Sequence, residues 1–259
     1  MTIGCIGMGN MAQALVQGWL DCSALTAGEV FAYAPNQEKL AKNAARIGFC
    51  PASSVREAVQ KAEVILMACK PYQIGSVLEE IRGLLPGKAL LSVALGWDLA
   101  RYREALGDEV RVQFIMPNTP ARVGEGVFLF EEAHSLAPGE EAWARELFGR
   151  LGKVFVLPSR LMGIGGAVSG CGPAFVDMII EAFADAAVKY GIQRAMAYEL
   201  VSQTLLGSAR LQRDTGIHPA VLKDAVCSPG GSTIRGVTAL EEHGLRAACQ
   251  AAIDAVMAY

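Results

Sequence analysis

Thr2-Ile3-Gly4-Cys5-Ile6-Gly7-Met8-Gly9-Asn10-Met11-Ala12 decides how the rest of the chain is read. A short apolar run, Ile3 to Ile6, breaks at Gly7, and a helical pattern follows with Met11, Ala14, Leu15 and Trp19 or Leu20 on one side. The Gly7-x-Gly9-x-x-Ala12 spacing alone fits a plain tight turn, but strand, turn and helix in that order favour a dinucleotide-binding turn. Gly7 allows the turn, Gly9 leaves a pyrophosphate room to approach the backbone, and Ala12 lets the helix pack close to the strand. The free N–H groups of the first helical turn, at the positive end of the helix dipole, then face the phosphates.

Outward from this turn, Val30 to Ala34 reads as a second strand, whose end distinguishes one dinucleotide from another. Enzymes using NAD usually place Asp or Glu there for the ribose hydroxyls. Ala34-Pro35-Asn36 offers no carboxylate to repel a 2'-phosphate, so NADP is favoured and NADH use is left open. Lys39 is the nearest cation and reads equally well as a solvated lysine on the next helix. Gln37 to Ile47 reads as that helix, ended by Gly48, and Ser54-x-x-Glu57 as a capping box opening another.

Val64 to Ala68 is a continuous apolar run, as expected of a parallel strand covered on both faces. It ends in Cys69-Lys70-Pro71, at the edge where open α/β sheets bind ligands. Leu90 to Ala94 and Val110 to Ile115 repeat the signal, and the latter ends in Met116-Pro117-Asn118-Thr119-Pro120, a turn stiffened by two prolines. These three strand ends predict one wall of a cleft. Val127 to Phe130, a helix near Pro138 to Leu151, and Val154 to Leu157 complete a Rossmann-like, doubly wound, mainly parallel α/β sheet.

From Ser159 the strand signal ceases, dividing the chain into a cofactor-binding domain, 1–158, and an all-helical domain, 159–259. A small-residue helix from Leu161 to Val168 is broken by Ser169-Gly170-Cys171-Gly172-Pro173. A long helix then runs to about Tyr190, and a second from about Arg194 to Thr215, each closed by a glycine. Shorter helices are expected near 219–226, 234–243 and 245–257. Between two of them lies Cys227-Ser228-Pro229-Gly230-Gly231-Ser232-Thr233. Its two glycines free the backbone to aim N–H groups at one point beside a helix N-terminus, a cradle for a carboxylate. The same residues also read as a capping loop with Ser232 or Thr233 as N-cap.

Composition narrows the function. A chain of 259 residues needs neither disulfide nor metal to hold a core, and a net charge of −3 attracts neither nucleic acid nor an acidic membrane surface. A small-molecule substrate is therefore expected. The seven cysteines, odd in number and mostly set in apolar runs, read as reduced core residues of a cytoplasmic protein. Hydrophobic residues make up 52%. The longest uncharged run, Leu161 to Val176, is too short and too broken by glycine and proline to cross a membrane, and no signal peptide is expected. The apolar excess points instead to a subunit interface. His134, His218 and His243 lie in polar surroundings, and no metal-ligand or nucleophile–base spacing is present. Without an evident acid and base, the difficult chemistry belongs to a cofactor.

Taken together, Gly7-x-Gly9-Asn10-Met11-Ala12, Ala68-Cys69-Lys70-Pro71, Met116 to Pro120, Ser169 to Ala174, and above all His218-Pro219, Leu222-Lys223-Asp224 and Ser228 to Ile234 resemble pyrroline-5-carboxylate reductase over nearly the whole chain. The resemblance implies an NADPH-binding domain, a helical dimerisation domain, a substrate pocket at the dimer interface, and dimers that assemble further into rings of five. It implies reduction of 1-pyrroline-5-carboxylate to L-proline by hydride transfer to the imine carbon. Ile6, Gly7, Met8, Gly9, Asn10 and Met11, Ala34 and Asn36, Ala68 to Pro71, and Val93, Ala94 and Leu95 would hold the dinucleotide. The Gly230, Gly231 and Ser232 amides would hold the substrate carboxylate, Ser228 would also bind the substrate, and the Thr233 hydroxyl would touch the ring nitrogen as the catalytic contact. Cys171, Val55 and Ala34 depart from the family's commoner Ser, Asn and Ser, which bears on the 2'-phosphate contacts more than on the reaction. A reductase of another imine, or of a β-hydroxy acid, is the nearest alternative. The hydroxy-acid enzymes need a lysine after the glycine-rich break, and none occurs before Lys189. A non-catalytic NADP-binding protein would bind cofactor without turnover.

Overall fold

Along each strand the side chains alternate between two covered faces. Ile3, Cys5, Val64, Leu66, Ala89 and Leu91 join one core, while Ile6, Ile65, Met67 and Leu90 join the other. A computed structural model describes residues 1–258 and divides the chain into two compact units, Met1–Gly170 and Cys171 onward.

The first unit runs β1 (Ile3–Ile6), α1 (Asn10–Asp21), β2 (Val30–Tyr33), α2 (Gln37–Ile47), β3 (Cys50–Pro51), α3 (Val55–Gln60), β4 (Val64–Met67) and α4 (Pro71–Ile81). It continues through β5 (Ala89–Ser92), α5 (Leu99–Leu106), β6 (Arg111–Met116), β7 (Gly126–Glu131), α6 (Pro138–Gly149), β8 (Gly152–Leu157) and α7 (Ser159–Ser169). The eight strands form one sheet in the order β3-β2-β1-β4-β5-β6-β7-β8. Every pairing is parallel except β6 with β7, where Ile115 faces Phe130. The strand order reverses direction at β1 and β4, so both chain turns leaving these strands open onto one crevice.

Helices α1, α2 and α6 cover one face and α3, α4 and α5 the other. Phe148 of α6 centres the first core, with Trp19, Phe128 and Phe130 edge-on at 5.2, 5.1 and 5.6 Å. The Trp19 indole N–H donates to the Leu147 carbonyl at 3.0 Å, so the largest side chain in this core leaves no polar group unpaired.

Several local expectations are corrected. The buried stripe of α1 is Ala12, Leu15, Val16 and Trp19, the i, i+3, i+4, i+7 positions from Ala12, whereas Ala14 lines a shallow groove with Gln13 and Gln17. Ser54 caps α3 by accepting from the Glu57 N–H at 3.1 Å, but the Glu57 carboxylate closes on the N–H and hydroxyl of Ser53, one residue earlier than a capping box requires. The two-residue β3 carries no readable period. Of the cysteines only Cys5 is buried, while Cys22 and Cys249 are exposed. An apolar sequence neighbourhood does not place the thiol itself inside.

Helix α7 begins at Ser159, packs against β7 and β8, and belongs to the first compact unit. The second unit comprises α8 (Gly172–Lys189), α9 (Arg194–Thr215), α10 (Pro219–Ala225), α11 (Ser232–Glu242) and α12 (Leu245–Met257). The break before α8 narrows to Gly170 and Cys171, because Pro173 fits a first helical turn, where its missing N–H costs nothing. Helices α8 and α9 pack on each other, as do α11 and α12. Among the described residues of this unit, Ala184 and Ala197 are the only buried hydrophobic ones, while Met178, Phe183, Leu206 and Leu211 stand about half exposed or more. Ser159–Lys189 is long and apolar enough by composition to cross a membrane, with mean hydropathy 1.4, although two helices share that length.

Candidate active site

The turn after β1 is built for close backbone contact. Gly7 has φ +99°, and a Cβ there would lie 2.6 Å from the Cys69 nitrogen and 2.7 Å from the Ala68 carbonyl. Only glycine lets the β1 turn sit against the β4 turn. Gly9 caps α1 without any side-chain capping bond, and nothing lies within 4 Å of where its Cβ would project. The first N–H groups of α1 therefore face open space. The turn is braced from α2, because Gln13 donates to the Met8 carbonyl at 3.0 Å and accepts from Arg46 at 2.8 Å.

A cleft of about 800 Å³ follows the carboxyl ends of β1, β2, β4 and β5. Ile6 to Met11, Ala34, Asn36, Ala68 to Pro71 and Val93 to Leu95 all line it. Tyr33, Lys39, Asn43, Val55, Gln73, Ser76 and Glu80 line it as well. Most of these lie one or two turns along α2 and α4, where helical spacing from the strand-end residues would have found them. At the β2 end, Asn36 accepts from the Lys39 N–H at 2.9 Å as the N-cap of α2, and Lys39 itself borders the cleft rather than only solvent. Burial pushes the Cys69 thiol up to about 11, which keeps it neutral beside the turn.

The third strand end expected in the wall is elsewhere. Met116 to Pro120 does not line the cleft. Asn118 is buried, accepts from the Val127 N–H at 2.8 Å and donates to the Ser169 carbonyl at 3.0 Å, so the stiff turn fastens α7 to the sheet. Strand β7 runs antiparallel beside β6, which ends the row of open parallel strand ends.

In the second unit, Gly230 has φ +69°, and the Gly231 N–H donates to the Ser228 carbonyl at 3.0 Å. A Cβ on Gly231 would collide with the Ser228 hydroxyl. Gly231 is the N-cap of α11 and no side chain caps it, so Ser232 and Thr233 occupy the first helical turn instead of the cap. Ser228, Gly230, Ser232 and Thr233 are exposed, and Ser232 and Thr233 leave the first-turn N–H groups free for an anion. The histidines serve local structure. His218 caps α10 by accepting from the Ala220 N–H at 3.2 Å, His243 Nδ1 lies 2.8 Å from the Ala239 carbonyl, and His134 faces Glu141 at 3.5 Å. Lys223 and Asp224 form an ion pair at 2.7 Å with both side chains substantially exposed.

The uncapped α1 terminus, the open space before Gly9, the absence of a carboxylate at Ala34-Pro35-Asn36 and a cleft of this size together fit a phosphorylated dinucleotide. Residues 159–259 match the family model described as pyrroline-5-carboxylate reductase dimerisation, and residues 2–96 that of NADP oxidoreductase, coenzyme F420-dependent. The pyrroline-5-carboxylate reductase of Treponema pallidum is 42% identical over 99% of both chains, and that of Escherichia coli 39% identical over 95% of this chain and 92% of its own. The chain belongs to the pyrroline-5-carboxylate reductase family. A crystal structure of Plasmodium falciparum pyrroline carboxylate reductase with NADP bound superposes with a TM-score of 0.89, at 31% identity, over 99% of this chain and 95% of that one. As the reductase family model begins at Ser159 and the first compact unit ends at Gly170, α7 belongs to both descriptions.

Proposed function

We propose that the protein reduces 1-pyrroline-5-carboxylate to L-proline with NADPH. The observation carrying this reading is that one chain holds both the open cleft beside Gly7 and Gly9 and the uncapped Gly230-Gly231 helix start, while family similarity spans 99% of its length. NADPH, when bound, supplies a hydride to the imine carbon. The chain's own part is to bind and orient. The Gly230 and Ser232 amides hold the substrate carboxylate together with Ser228, while the Gly231 N–H, donated to the Ser228 carbonyl, shapes the turn, and the Thr233 hydroxyl steadies the ring nitrogen. A protonated imine is already electrophilic, so no strong general acid is required. Most of the rate comes from holding the reacting carbons roughly 3 to 3.5 Å apart. The lack of a carboxylate at the β2 end and the cation of Lys39 favour NADPH, with slower turnover on NADH.

Residues 1–158 serve cofactor binding, and 159–259 dimerisation and substrate binding. The exposed apolar faces of α8 and α9 support a homodimer, which on the resemblance assembles into rings of five dimers. We place the protein in the cytoplasm, with no membrane or nucleic-acid partner. Loss of NADPH absorbance with racemic pyrroline-5-carboxylate, repeated with NADH, tests the reading, and absence of turnover with both cofactors refutes it. Thr233→Ala should lower kcat by roughly ten- to a thousandfold, the range expected for a hydrogen bond that strengthens in the transition state. An unchanged kcat removes Thr233 from the reaction.

A further inference from the structure

The cleft has two arms. The pyrophosphate place is the start of α1, and the end of β2 is where such folds hold the adenosine ribose. The remaining arm, between the turn leading into α4 and the loop after β5, is left for the nicotinamide half. Its outer wall is Val93 to Leu95, with Leu95 69% exposed.

Trp97 supports this wall. Its backbone N–H closes a turn on the Ala94 carbonyl at 3.1 Å after Gly96 reverses the chain at φ +77°. Its indole, 5% exposed, donates Nε1–H to the Pro71 carbonyl at 3.0 Å and so bolts the β5 loop to the start of α4. Arg101 lies over the indole at 4.5 Å and donates to the Gly96 carbonyl at 3.0 Å. Tyr102 packs 5.0 Å from the indole and donates its hydroxyl to Ser92, the last residue of β5, at 3.2 Å. The two sides of the nicotinamide arm are thereby joined by one buried side chain that does not itself line the cleft.

We propose that Trp97 is a positioning residue, which fixes the width of the nicotinamide arm by tying Pro71 to the Val93–Leu95 wall. This rests on reading the cleft as an NADP(H) site and is independent of which imine is reduced. Because the staple acts on one arm, its loss is felt by the nicotinamide half alone.

The test is titration calorimetry of the full chain and of Trp97→Phe, which keeps a ring and loses the N–H. Each is titrated with NADP+ and with 2',5'-ADP, which fills only the adenosine arm. The Kd for NADP+ should rise about five- to twentyfold, the loss of one buried hydrogen bond and its alignment, while that for 2',5'-ADP stays within about twofold. Equal weakening of both ligands would mean general loosening and overturns the proposal, as does an unchanged Kd for NADP+. If the unaltered protein binds neither ligand, the reading of the cleft falls and takes the proposal with it. Should Trp97→Phe fail to melt cooperatively, Arg101→Met leaves the indole in place and frees the Gly96 carbonyl. The same split, about two- to fivefold on NADP+ only, is then expected, and its absence overturns the proposal.

Discussion

The two units dispose of their apolar side chains differently. In Met1–Gly170, Trp19, Phe128, Phe130 and Phe148 vanish from the surface into a core fed by both strands and helices. In the unit from Cys171 on, apolar helices leave Phe183, Met178 and Leu206 facing outward. A sheet covered on both faces buries its apolar residues with its own chain. A pair of long helices has only one mutual seam and offers the rest of its surface to another molecule. On the proposed dimer, the first unit's stability belongs to a single chain and the second's to an assembly.

All three tryptophans, Trp19, Trp97 and Trp143, lie in the first unit, so their emission reports on it alone while far-ultraviolet dichroism reports on both. The largest expected effect is on the second unit. Phe183→Glu combined with Leu206→Glu should weaken association at least about a thousandfold, since each buried unpaired charge costs several kcal/mol. Light scattering should then find the 27.4 kDa single chain, with helicity reduced and tryptophan emission retained. An undiminished mass at micromolar concentration would show that these faces do not meet a second copy. Next, Phe148→Ala should destabilise the tryptophan-reported transition by about 3–5 kcal/mol, independently of protein concentration. A concentration-dependent midpoint there would erase the distinction between the units.

The smallest effect sharpens the comparison by pH. Hydrogen bonds from Lys61, and from the Ser53 hydroxyl and N–H, lower the Glu57 carboxyl from 4.5 to about 2. A carboxyl lowered by folding stabilises the native state above its unfolded value and ceases to do so as pH falls through the folded one. The tryptophan-reported Tm of the unaltered protein should exceed that of Glu57→Gln by a constant margin above about pH 5, and the margin should close between about 4.5 and 2. A margin that persists at pH 2 would remove the ionic contribution.

Much of this was legible because it depends on neighbours in sequence. Gln37–Ile47 ends at Gly48 because a left-handed cap wants glycine, and the cleft lining follows from a glycine turn and strand ends that any parallel sheet gathers on one edge. What escaped depends on partners distant in the chain or on geometry without period. Met116 to Pro120 reads like another strand-end loop, yet the antiparallel β7 and the Asn118 bonds turn it to fastening α7. Trp97 gives no motif at all, since its partner Pro71 is found only when β4 and β5 lie side by side. Ser232 looks like a cap and is not one, because Gly231 already takes the extended cap conformation.

Gly9 carries a consequence of another order. Its backbone, φ −75° and ψ −176°, suits any residue, and a methyl there would touch nothing in the chain while projecting into the open space where the proposed cofactor's pyrophosphate would lie. A Gly9→Ala chain would therefore fold with the stability of the original and, on the proposed reading of the cleft, lose affinity for the dinucleotide alone, so that one methyl group separates what the turn does for the fold from what it does for a ligand.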